Sequence, residues 1–180
     1  SLQSNYIRSI YLDHKGSLWI GGNQGISRYD YTSNNFQNYK LPRKSGEWYI
    51  SSIIQDAGKL IWGSSTSGEL FYLDQQSDQF KQLNFDASAY GIKSVTHLAL
   101  VRNNLLVGTD VGLFKMNPGS RKLTSIDLGV NNPRINELFM EGQSLWVGTE
   151  GSGLIKYNLV NATASQYLHQ VAYPGSLADN

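Results

Sequence analysis

The side chains able to hold a metal or move a proton in this chain of 180 residues are three histidines, His14, His97 and His169, and 14 carboxylates. A zinc site needs ligands at short fixed intervals, and no two of these histidines stand at one. No Gly-x-Ser-x-Gly nucleophile elbow occurs, and no Gly-rich loop opens a helix to cradle a phosphate. Gly151-Ser152-Gly153 falls between two strand-like runs and reads as a flexible turn. Asn161-Ala162-Thr163 fits a glycosylation acceptor, which matters only in a eukaryotic secretory setting. Neither a catalytic residue nor a cofactor or metal is expected. The residues with a stronger claim to function are aromatic and hydrogen-bonding: Tyr6, Trp48, Tyr49, Tyr90 and Arg134, with Asn23, Gln24, Ser65, Thr66, Asp110 and Glu150. Aromatic faces stack on the C–H faces of pyranose rings while amides, hydroxyls and carboxylates take the sugar hydroxyls, so this set suits a carbohydrate.

What could bring such scattered residues together is a repeat. Ile7-x-x-Ile10 recurs as Ile50-x-x-Ile53, Ile92-x-x-Val95 and Ile135-x-x-Leu138, about every 43 residues. A period of that length marks a supersecondary unit that buries its apolar face only against a neighbouring copy. In the first unit the pair is followed by the turn Asp13-His14-Lys15-Gly16, then Leu18-Trp19-Ile20-Gly21, Gly25-Ile26-x-x-Tyr29-Asp30 and Phe36-x-x-Tyr39. These are four short runs rich in aliphatic and aromatic residues, separated by Asp, Gly, Asn and Ser, the pattern of a four-stranded meander. The expected fold is therefore all-β, with four four-stranded antiparallel propeller blades as part of a larger propeller.

The blades are expected at about 1–45, 46–88, 89–130 and 131–175 of a single propeller fragment spanning 1–180, with 176–180 leading into a further repeat. Trp19, Trp62 and Trp146 should each bury a ring between adjacent sheets, Leu106 taking that place in the third unit. Gly21, Gly63, Gly108 and Gly148 follow apolar runs, where a missing side chain lets a neighbouring strand approach. The candidate binding residues fall at one end of this array. Tyr6, Trp48, Tyr49, Tyr90 and Arg134 precede the first strands, and the others lie in loops between second and third strands.

Composition narrows the partners. Lys and Arg total 15 against 14 Asp and Glu, a net charge of +1, which offers no electrostatic footprint for nucleic acid. Apolar runs are broken by Arg, Asp, Gly or Asn well short of a membrane span, so no direct membrane insertion is expected. There are no cysteines, hence neither disulfides nor a thiolate metal site.

Leu18-Trp19-Ile20-Gly21-Gly22 with Gly25-Ile26-x-x-Tyr29-Asp30, and Leu145-Trp146-Val147-Gly148-Thr149 with Gly153-Leu154-Ile155-Lys156-Tyr157, resemble the two-component regulator propeller repeat. The resemblance implies the periplasmic sensor region of a Bacteroides-type hybrid two-component histidine kinase, in which seven-bladed propellers sense glycans. It implies a structural consensus and transfers no catalytic residues. On this reading the chain recognises an oligosaccharide and signals to a kinase that lies outside it. The alternative is a propeller enzyme resembling a streptogramin-type lyase, with a metal at the ring axis near His97 and with Glu137 and Glu150 as distant helpers. Four blades alone would leave two apolar flanks uncovered, so the fragment is expected to close on itself or to pair with a second copy.

Overall fold

The computed structural model describes residues 1–42, 48–173 and 175–180. Among the described residues, sixteen strands form four antiparallel sheets, each a meander in chain order. The first sheet holds β1 (Ile7–Leu12), β2 (Leu18–Gly22), β3 (Ile26–Asp30) and β4 (Asn35–Tyr39), and the second β5 (Ile50–Gln55), β6 (Ile61–Ser65), β7 (Leu70–Asp74) and β8 (Gln79–Gln82). The third comprises β9 (Val95–Val101), β10 (Asn104–Thr109), β11 (Gly112–Met116) and β12 (Leu123–Ile126). The fourth comprises β13 (Arg134–Glu141), β14 (Ser144–Glu150), β15 (Leu154–Asn158) and β16 (Thr163–Tyr167). The expected boundary between the first and second units, at 45/46, lies outside the described residues.

Sheet packs on sheet in chain order, and the inner strands β1, β5, β9 and β13 lie side by side along a common axis. A core cluster fills each joint: Trp19, Tyr39, Ile50 and Phe80 in the first, Trp62, Leu70, Val107 and Phe114 in the second, and Leu106, Leu113, Ile135 and Val147 in the third. Burial of alternate residues from two facing sheets is what makes each unit depend on its neighbour.

Cross-strand pairing corrects the repeat alignment in two places. Ile7, Ile50 and Ile135 pair with Gly22, Ser65 and Thr149, and in the third sheet it is Val95 that pairs with Thr109. The third repeat is thus Val95-x-x-Leu98, three residues after Ile92-x-x-Val95, because a short 3₁₀ turn, Ala87–Tyr90, lengthens the approach. In the second sheet Trp62 pairs with Ile54 as Trp19 does with Tyr11, so Ser64 occupies the place of Gly21, and Gly63 that of Ile20. The exchange conserves volume across the pairs: Gly63 lies opposite Phe71 where Ile20 lies opposite Ser27.

At two of the three joints the place of Gly21 needs a glycine, Ser64 holding it in the second sheet. A Cβ on Gly21 would stand 2.5 Å from Ile50 Cγ2, and one on Gly108 would stand 2.8 Å from Ile135 Cγ2. Trp146 is half-buried, not enclosed as expected, because among the described residues no further sheet covers its face.

Candidate ligand-recognition site

Each inner strand carries a β-bulge after its first residue. Register shifts between Ile7 and Ser9, Ile50 and Ser52, Gly108 and Thr109, and Ile135 and Glu137 leave Arg8, Ser51, Thr96 and Asn136 without a ladder partner. A bulge re-aims the extra side chain, and all four of these line a single groove of about 730 Å³ along the axis. Ser9, Ser52, His97 and Glu137 follow them on the same wall. A groove with polar side chains from four sheets and apolar floor from Ile10, Ile53, Leu98 and Leu138 has the mixed lining of a small-ligand site.

Two groups in this wall have distinctive chemistry. His97 Nε2 lies 3.1 Å from Glu137 Oε1, a contact that bridges the third and fourth sheets. Burial pushes the imidazole below its ordinary value, and the Glu137 carboxylate works in the opposite direction. Glu137 is therefore an immediate neighbour of His97 and no distant helper. Thr96 Oγ1 is buried and has no hydrogen-bond partner among the described residues. Among the described residues no three His, Asp or Glu side chains stand close enough to hold a metal ion.

The residues singled out at the strand entries separate into distinct roles. Tyr6 and Tyr49 immediately precede β1 and β5, and Arg134 opens β13. The guanidinium of Arg8, which lines the groove, lies over the Tyr49 ring at 4.7 Å and so ties the first inner strand to the approach of the second. Tyr6 is well exposed and is not part of the groove lining. Trp48, by contrast, is buried in the first joint against Phe71, ring centres 6.3 Å apart, so it offers no stacking face to a ligand. Tyr90 lies in the 3₁₀ turn, edge-on to Phe114, and the position equivalent to Tyr6, Tyr49 and Arg134 in the third sheet belongs to Ser94.

The loop side chains expected to meet a ligand instead brace the entries. Thr66 Oγ1 accepts from the Tyr49 N–H at 3.0 Å, and Asp110 Oδ1 accepts from the N–H groups of Lys93 and Ser94, both at 3.0 Å. Glu150 Oε2 pairs with Arg134 Nε at 3.0 Å, and Asn23 Oδ1 accepts from Ser4 Oγ at 2.5 Å. Ser65 is buried and its hydroxyl donates to Glu69, while Gln24 is exposed. One polar side chain per loop, reaching back to the start of the inner strand, holds the rim of each blade in place. The bulged positions were not singled out from sequence, because a bulge leaves no mark in an apolar pair spaced by two residues. The run of unlike side chains Arg8, Ser51, Thr96 and Asn136 after the first apolar residue of each true repeat is the signal that could have found them.

Comparison with known proteins places the fold. No curated protein sequence matches the chain. The extracellular domain of the hybrid two component system BT4673 from B. thetaiotaomicron superposes with a TM-score of 0.79 at 21% identity, over 100% of this chain and 25% of that one. The corresponding domain of BT3049 from the same organism gives 0.75 at 19%, over 93% of this chain and 25% of that one. Virginiamycin B lyase from Staphylococcus aureus gives 0.76 at 10%, over 94% and 57%. The chain thus spans a quarter of the length of the two extracellular domains. Residues 1–24 match the family described as "Two component regulator propeller", and over its whole length the chain is similar in fold to the extracellular propeller domains of hybrid two component systems.

Proposed function

We propose that the chain is a non-catalytic recognition segment of an extracytoplasmic sensor, which binds an oligosaccharide at the mouth of the axial groove and signals to a histidine kinase beyond it. The single observation that carries this reading is the groove itself, into which four successive bulges deliver Arg8, Ser51, Thr96 and Asn136. Tyr49, whose ring lies against the groove-lining Arg8, and Tyr11, in the lining itself, supply aromatic surface, and Arg8 and Asn136 supply hydrogen-bonding groups, the combination a sugar requires. The periplasmic setting is supported by the likeness to extracellular domains of hybrid two component systems and by the match of residues 1–24.

A ligand moves a signalling equilibrium only by its difference in affinity for the two states, so a tenfold shift needs about 1.4 kcal/mol of discrimination. The groove offers a place for that difference, because its wall is divided among four sheets whose relative tilt changes its width. Calorimetric titration with neutral and uronic-acid oligosaccharides tests the reading. Binding that is lost in Tyr49→Ala and in Asn136→Ala is the expected result, and full affinity in both variants overturns it.

The pairing of His97 with Glu137 on the axis, together with the fold of virginiamycin B lyase, supports a second reading as a propeller lyase. Turnover of a cyclic depsipeptide that disappears in His97→Ala would establish it in place of the first.

A further inference from the structure

Of the charged side chains that line the axial groove, Arg8, Arg134 and Glu137, two are already matched. Arg134 pairs with Glu150 of its own sheet at 3.0 Å, and Glu137 with His97 at 3.1 Å. Arg8 has no carboxylate partner among the described residues, and its guanidinium donates no hydrogen bond there. Hydroxyls near it along the wall are engaged elsewhere. Ser9 Oγ donates to the Ile50 carbonyl at 3.3 Å, and Ser51 Oγ to the Val95 carbonyl at 2.7 Å. The wall therefore presents a positive charge that the described residues leave uncompensated.

This charge belongs to the interior of the array. The bulge turns Arg8 toward the second sheet, where its guanidinium lies over the Tyr49 ring, just as the next bulged residue, Ser51, reaches Val95 of the third sheet. Arg8 thus leans into a joint between two sheets of this chain and away from the outer flank of the first. The ring beneath it is fixed. The Tyr49 N–H donates to Thr66 Oγ1 at 3.0 Å, and the Tyr49 carbonyl accepts from the Thr66 N–H at 2.9 Å, a reciprocal clamp made by a residue that itself lines the groove. A guanidinium over an aromatic face is held by the ring's negative face, while the N–H groups at its edge stay open to an acceptor. Those edge donors form a planar fork whose complement is a carboxylate, bonded through both oxygens. A sugar hydroxyl meets one N–H at a time and leaves the charge unmatched.

We propose that the groove selects an acidic oligosaccharide, one whose uronic-acid carboxylate docks on the Arg8 guanidinium above the Tyr49 ring. The proposal rests on the recognition reading given above and adds to it the charge of the ligand.

The test is calorimetric titration of the chain with oligogalacturonides and with glucuronate-bearing oligosaccharides, each as the free acid and as its methyl ester. The ester keeps the sugar hydroxyls and removes the charge. A free acid should bind about tenfold or more tightly than its ester, as a charge-assisted hydrogen bond provides, and added salt should narrow the gap. Arg8→Gln should bring acid and ester to nearly equal affinity, and Arg8→Lys, which keeps the charge without the fork, should retain part of the preference. The acid-to-ester ratio is read within each protein, so a smaller folded fraction lowers both affinities and leaves the ratio unmoved. Acid and ester bound alike by the parent chain, or a preference that persists in Arg8→Gln, overturns the proposal and leaves sugar recognition in place. Failure of every form to bind removes the recognition reading and the proposal with it.

Discussion

The indole N–H of Trp19 donates to Asp13 Oδ2 at 2.9 Å, while Asp13 Oδ1 accepts from the N–H groups of Lys15 and Ser17 at 2.9 and 2.8 Å. One carboxylate thus shapes the first hairpin and fixes the orientation of the ring that fills the first joint. The second sheet repeats the device with Trp62 Nε1 and Asp56 Oδ2 at 2.9 Å, and the fourth uses Trp146 Nε1 and Glu141 Oε2 at 2.9 Å.

Replacing Asp13 by Ala should therefore destabilise the chain by about 1–3 kcal/mol, since a buried indole N–H loses its acceptor. The same bond makes a prediction about acid. Burial alone would raise the Asp13 carboxyl, but the hydrogen bonds from Trp19, Ser17 and Lys15 outweigh it and hold it below the usual carboxylate range. This contribution is complete above the unfolded carboxylate pKa and is lost as pH falls through the lower folded value. Urea melts of the parent and Asp13→Ala should converge in strong acid.

Gly21→Val should cost about 1–3 kcal/mol, as its added carbons meet Ser9 and Ile50 in a filled joint. Gly148→Ala, at the equivalent place but with only Glu137 of its own sheet within reach of the added carbon, should change stability by less than about 0.5 kcal/mol. Thermal melts at low concentration separate the two.

Trp19→Ala should remove about 3–5 kcal/mol, the usual cost of emptying a core aromatic site. Trp146→Ala should cost clearly less in this chain, because its ring is only half-buried among the described residues.

His97 predicts a second, milder acid effect. Its folded pKa is lowered by burial, with Glu137 opposing, so between about pH 6.5 and that lower value the unfolded chain binds the extra proton. Stability is complete above that window and declines through it as pH falls. His97→Gln should flatten the decline, and the imidazole proton shifts should titrate below the ordinary histidine range.

Asp110→Ala should loosen the entry to β9, where Lys93 and Ser94 lose their shared acceptor. Faster amide exchange at those two residues, with little change at Thr66 in the neighbouring blade, is the expected signature.

The meander and its period were legible because alternating apolar runs and turn residues record a sheet directly in the chain. Register was less so. Ile92-x-x-Val95 and Val95-x-x-Leu98 both satisfy the same apolar spacing, and only the pairing of Val95 with Thr109 decides between them. Likewise Leu60-Ile61-Trp62-Gly63 imitates Leu18-Trp19-Ile20-Gly21, although the Asp56 bond to Trp62 shows the offset. A count of six residues from turn Asp to Trp in both units was available in the sequence and outranks the glycine as a marker.

The candidate residues were legible in type but not in employment. Thr66, Asp110 and Glu150 have the side chains that bind sugars, and the fold spends them on its own backbone and on Arg134. Trp48 has the ring that stacks on sugars, and the first joint absorbs it. Composition cannot separate a polar group that faces outward from one that ties down a strand, because both roles demand the same hydrogen-bonding capacity.

The unpaired residue in each bulge has a consequence for how the lining of such a groove can vary. Arg8, Ser51, Thr96 and Asn136 carry a cation, two hydroxyls and an amide, yet the apolar residue before each is Ile or Val throughout. Chemistry and architecture are written in adjacent but separate letters. The lining can drift one petal at a time while the scaffold stays unedited.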